Sequence, residues 1–296
     1  MLFDKLIVFD AYKQKLILIA GARTDDLEAS YEKARREIQE MVSLLKSGAR
    51  AVFKPLRLET KLTSAHNEAE FSRLVEHAKR HIFEGDIFQV VLSNPLTAKA
   101  TGSLFDVYRT LRVLNPSPYM FYFVSDDVEI AGASPETLAK LEGGTLYTFP
   151  LTGTRPRGKT ESEDRQLEKE LLSDEKEIAE HNMLVDLGRN DLGRVSEIGS
   201  VKVTRYMDIL RYSHVMHIGS TVEGRLAKGK DAIDAIDSVL PAGTLSGAPK
   251  LSACTIIQQE ESRKRGIYGG AIGYLDFSGN MDTCICLLYT SDAAYE

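Results

Sequence analysis

The order in which apolar periodicities follow one another constrains this chain most. Two-residue alternation and helical spacing are interleaved irregularly, with no repeated strand–helix–strand unit. KLIVFDAYKQKLILIA (5–20) reads as two strands around a polar turn. Residues 25–47 read as a helix capped at Thr24 or Asp25 and closed near Gly48. Further helices are expected at 67–84, ahead of Gly85, and at 103–114, ahead of Asn115-Pro116. IFQVVLSN (87–94), YMFYFVS (119–125), EIAGAS (129–134) and TLYTFPLTG (145–153) read as strands. One long charged helix is expected over about 161–187, then strands in TRYMDIL and SHVMHIGSTVEG. A helix is expected after Gly247, then a Gly-rich strand in GIYGGAIGYLDF. This mixture predicts an α+β fold with mainly antiparallel sheets rather than a Rossmann order.

With 296 residues, 43% of them apolar and 27% charged, the chain can bury a sizeable core and is not a disordered one. Its net charge of −6 argues against a general nucleic-acid binder, whose phosphate contacts demand a basic surface. No uncharged apolar run reaches the ~18 residues of a membrane span, and the acids within MLFDKLIVFD do not suit a secretory signal. A cytoplasmic protein is expected, with neither membrane nor nucleic acid as partner. Cys254, Cys284 and Cys286 are too few for a disulfide framework and fit a reducing compartment.

Several constellations could carry chemistry. Glu177 and Glu180 share a helix face, which is either a solvated charged face or a seat for a hard divalent cation. Strand alternation in SHVMHIGSTV puts Met216, Ile218 and Val222 on one face and His217 on the other, where it serves structure or shuttles a proton. Glu136 follows the turn residues of GASPE. The glycines of PAGTLSGAPK, Gly243 and Gly247, permit close backbone approach or a tight helix start. GTRPRGKT (153–160) matches a P-loop letter for letter. Pro156 lacks an N–H for phosphate, and acids follow at once, so a P-loop NTPase is the remote alternative.

GDIFQVVLS, NPSPYMF, GASPE, PLTGTRPRG, DEKEIAEHNMLVDLGRNDLGRV, HVMH, GTLSGAPK and YGGAIGY occur in one order. Together they resemble the chorismate-utilising enzymes, and within them the anthranilate synthase component I branch. The resemblance implies an α/β sandwich of two large, mainly antiparallel sheets around a cleft. It implies the conversion of chorismate and ammonia to anthranilate and pyruvate with Mg2+, in tryptophan biosynthesis. The ammonia would come from glutamine through an amidotransferase subunit, component II. Glu180 resembles the Mg2+ ligand, with Glu177 beside it. Gly153, Thr154, Thr244 and Tyr268 resemble substrate contacts, with Gly243 in the same loop. Glu136 resembles the acid that protonates the departing hydroxyl, and His217 the active-site histidine. Pro118, Tyr119 and Met120 resemble part of an L-tryptophan feedback site, although a Pro-rich turn explains the same letters.

Two positions discriminate within the family. Gln89 stands where isochorismate synthases resemble one another in a water-activating lysine. Thr152 stands where aminodeoxychorismate synthases carry a nucleophilic lysine and anthranilate synthases usually alanine. Neither lysine is present, which points to ammonia as nucleophile and leaves aminodeoxychorismate synthase as an alternative. The resemblance also implies a division into 1–60, a remnant of an N-terminal region; 61–285, the chorismate-binding domain lacking its C-terminal part; and 286–296, a foreign tail. Leu288 stands where an arginine is expected. A catalytically impaired fragment that only binds ligand or partner is therefore the second expectation.

Overall fold

The computed structural model describes residues 1–286 apart from Ser213 and Ser262. The tail expected at 286–296, with Leu288, lies outside the described residues beyond Cys286. Two compact units divide between Lys54 and Pro55.

In the first unit, strands β1 (Lys5–Asp10) and β2 (Lys15–Ala20) form an antiparallel hairpin. Asp10 closes its turn by accepting from the Lys13 N–H. Helix α1 (Leu27–Ser47) buries Ala34 and Met41 and ends in left-handed Gly48. Asp26, not Thr24 or Asp25, occupies its cap and makes no side-chain cap bond, while Asp25 pairs with Arg23.

The second unit begins with short strands β3 (Arg57–Leu58) and β4 (Thr63–Ser64). Helix α2 (Glu68–Glu84) follows. Asn67 and Glu70 close a reciprocal capping box at its start, and left-handed Gly85 ends it. Of the strand expected at 87–94, only β5 (Gln89–Val90) joins a ladder. Strands β6 (Leu96–Thr97) and β7 (Ala100–Thr101) pair with β4 and β3. Helix α3 (Phe105–Leu114) leads to the hairpin of β8 (Tyr119–Val124) and β9 (Glu129–Ser134).

Strands β10 (Thr137–Glu142), β11 (Thr145–Thr148) and β12 (Leu151–Pro156) come next. The single strand expected at 145–153 is thus interrupted at Phe149-Pro150. Both halves pair with β14 (Val215–Arg225) in the same register, Thr148 opposite Val222 and Leu151 opposite Gly219. Proline lacks the N–H that would carry the ladder across the gap.

The long helix expected at 161–187 is two helices, α4 (Glu161–Ser173) and α5 (Glu175–Gly193). Asp174 ends the first and caps the second, its side chain accepting from the N–H groups of Lys176 and Glu177. A short carboxylate that bonds its own downstream backbone competes with helix continuation.

After β13 (Lys202–Arg211) and β14 come α6 (Ala232–Val239), α7 (Gly243–Ser246), β15 (Gly247–Ala248), α8 (Lys250–Glu260), β16 (Ala271–Leu275) and β17 (Met281–Ile285). One seven-stranded sheet runs in the order β12-β14-β11-β10-β17-β16, with β13 on β14. Among the described residues the other strands form two-stranded pairs, and every ladder is antiparallel. The architecture is α+β, as expected.

Helix α5 lays Val185 and Leu192 on the sheet against Leu146, Val222 and Met281, with α6 closing the core through Ala235 and Val239. As the alternation predicts, Met216 and Ile218 are fully buried, under Leu171 of α4. Leu192→Ala removes a fully buried side chain from this core. It is expected to lower unfolding stability by about 2–5 kcal/mol, read as a drop in the urea midpoint.

Candidate active site

The site is built around α5. One side of it begins at Gly153 on β12, whose backbone is left-handed, with φ +62. A Cβ there would lie 2.8 Å from Leu171 and 3.2 Å from the Glu177 carboxylate, so only glycine lets the helices approach. The Gly153 carbonyl lies 2.7 Å from Nδ1 of His217, with the Thr154 hydroxyl at 3.1 Å from the same atom. A carbonyl only accepts, so Nδ1 donates, and Nε2 is left outside these bonds. The Tyr212 ring stands edge-on to the imidazole at 5.7 Å. Gly153, Thr154, His217 and Glu177 are therefore neighbours.

The other side is a narrow cleft lined by Glu136, Gly243, Thr244, Leu187, Gly188 and Asp191, among others. A Cβ on Gly243 would fall 1.8 Å from Leu187, so the GTLSGAPK loop needs glycine to sit against α5. Burial pushes the Glu136 carboxyl up to about 7. The Thr244 hydroxyl is near enough to oppose that shift slightly, yet it lies outside hydrogen-bond geometry and has no other partner. Behind them Lys250 Nζ reaches Asp191 Oδ2 at 2.7 Å and the Val239 carbonyl at 2.8 Å. Burial still holds the Asp191 carboxyl above its usual range, outweighing Lys250 and Arg194.

Glu177 and Glu180 diverge. Glu177 faces β12 and pairs with Arg155 at 3.6 Å, beside the 3.0 Å pair of Arg155 with Asp174. Glu180 has no ion-pair partner among the described residues. It lines another cavity with Gln89, Lys176, Met183, Leu187 and Pro249. The buried Gln89 Oε1 has no hydrogen-bond partner either. A carboxylate and an orphaned carbonyl oxygen on one cavity are hard donors of the kind a divalent cation takes, so the donor set fits one. Arg155 draws Glu177 away from that set.

Tyr268 packs on the main core, with the Arg265 guanidinium 5.7 Å from its ring centre. Pro118 and Tyr119 line a third cavity, with Phe149, Arg205, Tyr212 and Asp282, which shares Glu136 and Thr137 with the cleft. The Tyr119 hydroxyl donates to Asp282 at 2.8 Å and meets the Thr137 hydroxyl at 2.7 Å; burial pushes it up to about 12. Met120 turns elsewhere, its Sδ accepting from the Ser117 N–H.

Two features escaped the sequence reading. His181 is fully buried, with Nδ1 2.7 Å from the Thr152 hydroxyl and Nε2 2.7 Å from that of Ser220. Burial pushes its pKa down to about 4. The imidazole is therefore neutral, taking a proton from one hydroxyl and giving one to the other. Ser220 also accepts the N–H of Met207, which has φ +56. Thr152 was singled out by its position, but its partner was invisible. The second feature is Arg265, which holds Glu261 and the carbonyls of Val91 and Leu245. Glu261 in turn accepts from the Ser93 N–H at 2.8 Å. Together they tie the Gln89 strand to the GTLSGAPK loop.

The P-loop-like stretch is closed by its own acids. Asp164 accepts from the Gly158 N–H and from Arg157, Glu163 accepts from the Lys159 N–H, and Thr160 caps α4. The Gly158 and Lys159 N–H groups are thereby occupied, and the P-loop alternative falls on that geometry.

An antiparallel sheet bearing these motifs beside one helix defines a class. Residues 1–288 match the chorismate binding enzyme family, and the chain belongs to it. It is 48% identical over 295 residues to anthranilate synthase component 1 of Acetivibrio thermocellus, covering 97% of this chain and 60% of that one. The Aquifex aeolicus protein of the same name is 45% identical, with 97% and 59% covered. The crystal structure of anthranilate synthase component I from Streptococcus pneumoniae superposes with a TM-score of 0.84 at 42% identity, covering 96% and 63%. The Escherichia coli menaquinone-specific isochorismate synthase, 23% identical with a TM-score of 0.74, shares the fold. The chain spans about three fifths of the length of the curated relatives it matches.

The buried His181 has a consequence for stability. Unfolded, an imidazole titrates near 6.5; here it titrates near 4. Its contribution is whole above about pH 6.5 and is lost as pH falls through 4, because the unfolded chain then binds a proton the fold refuses. Urea midpoints are expected to fall from pH 7 to 4.5, with up to about 3 kcal/mol from this residue. His181→Gln is expected to fall less over the same range.

Proposed function

We propose that the chain is the chorismate-converting component of an anthranilate synthase, forming anthranilate, pyruvate and water from chorismate and ammonia. The observation that carries this is the pairing of an acid and a base around α5. Glu136, near 7, keeps a proton at neutral pH, and His217 keeps an open Nε2. Loss of the ring hydroxyl as water needs the acid, and aromatisation needs a base. Glu136 protonates the leaving hydroxyl and His217 handles the ring proton. Gly153 and Thr154 contact substrate beside His217. Thr244 contacts it beside Glu136, and Tyr268 takes the enolpyruvyl carboxylate.

Glu180 would hold Mg2+, with Gln89 facing the same cavity and Glu177 steadied by Arg155 on the β12 side of the helix. When bound, the ion neutralises the substrate's ring carboxylate and withdraws charge from the ring. Thr152 is taken up by His181, and neither it nor Gln89 supplies an amine or a base, which supports external ammonia as the nucleophile. A glutamine amidotransferase subunit supplies that ammonia. L-tryptophan binds at Pro118 and Tyr119, where the cavity shares Glu136 and Thr137 with the cleft. No helix among the described residues is long and apolar enough to cross a membrane. The three free cysteines suit a cytoplasmic setting.

The test is anthranilate fluorescence from chorismate, Mg2+ and ammonium salt. The signal is expected to vanish with EDTA or Glu180→Ala, and Glu136→Gln is expected to lower kcat about 10²–10⁴-fold. At constant free ammonia, the rate should fall as pH rises through about 7, because Glu136 then loses its proton. A folded chain that binds chorismate without forming anthranilate would overturn the reading for this chain.

A further inference from the structure

The end of α2 carries a cluster of ligand-type side chains that the chorismate chemistry does not use. His77 and His81 are one helical turn apart, with ring centres 5.1 Å apart. Gly85 reverses the chain so that the Asp86 N–H returns to the His81 carbonyl at 3.0 Å. The Asp86 carboxylate then meets His81 Nδ1 at 2.8 Å. His81, Glu84 and Asp86 each offer a ligand atom within 4.8 Å of the others, the only such triple among the described residues. His77 is held through Nδ1 by Glu260, the last residue of α8.

We propose that this cluster binds a zinc-class divalent cation. His81, Glu84 and Asp86 are the protein ligands, and water completes the coordination. Imidazole and carboxylate together suit Zn2+, Co2+ or Ni2+ better than Mg2+, which takes oxygen ligands and keeps its water.

The position gives the ion a structural effect. Residues between α2 and β5 lead straight to the strand pair that Gln89–Val90 makes with Gly247–Ala248. Ile87 packs on Ala253 and Ile256 of α8. An ion at the end of α2 therefore steadies the connection that carries Ile87 onto α8.

Co2+ and Zn2+ titration of the full chain tests this, with Co2+ absorption and thermal unfolding as readouts. Wild type is expected to give a Co2+ spectrum of nitrogen and oxygen ligands, displaced by Zn2+, and a higher Tm with Zn2+. His81→Asn and Glu84→Gln are each expected to weaken binding ~10-fold or more and to remove the Tm rise, while Glu28→Gln on α1 leaves both unchanged. Undiminished binding in both His81→Asn and Glu84→Gln would overturn the proposal. So would a thiolate charge-transfer band in place of the nitrogen and oxygen spectrum, which would move the ion to the cysteines.

Discussion

Helix α5 can lie where it does only because side chains are missing beneath it. A Cβ on Gly188 would come within 2.9 Å of Thr148, one on Gly243 within 1.8 Å of Leu187, and one on Gly153 within 2.8 Å of Leu171. Those absences let a helix carrying Glu177, Glu180, His181 and Asp191 meet β12, β14 and the GTLSGAPK loop at backbone distance. Core packing then makes the approach rigid, since Leu192, Leu146 and Val222 are fully buried against one another. The placement of Gly153, Glu177 and Gly243 around α5 depends on that fit.

Four polar residues of α5 meet four different surroundings. Glu177 pairs with Arg155, and Glu180 lines a cavity without an ion-pair partner among the described residues. His181 loses its charge to burial, while Asp191 is buried against a lysine that does not fully compensate it. One helix with a regular charged pattern thus supplies a brace, a cavity-lining carboxylate, a neutral linker and a buried pair. Which role falls to which residue is decided by the element each one faces. Glu136 obeys the same rule from the sheet: it lacks a counter-ion and is partly buried, so it holds its proton.

Much of this was legible in the sequence, and the exceptions have physical causes. Asn67 and Glu70 spell a capping box, and two short apolar runs around a polar turn spell the hairpin, because those signals are local. The break at Asp174 was hidden because charged residues continue at helical spacing across it. The brevity of β5 was hidden because its partner, Gly247–Ala248, lies far along the chain. Motif order brought Gly153, Thr154, His217 and Glu136 to attention; the first three are neighbours in space, while Glu136 lines the cleft on the other side of α5. Glu177 and Glu180 looked like one pair because spacing reports a shared face and not what faces it. Arg265 left no trace because it binds backbone carbonyls, which every residue has.

The closed loop at 157–164 has a consequence beyond this chain's own chemistry. Asp164 and Glu163 are tethered to the very N–H groups they occupy. A tethered carboxylate competes at an effective concentration of millimolar or more, about the level of free phosphate ligands in a cell or above it. Any incoming anion must displace an internal one that never diffuses away, while also facing the acids behind it. The stretch is therefore an auto-ligated anion site: it has the letters of a phosphate loop and carries its own permanent competitor.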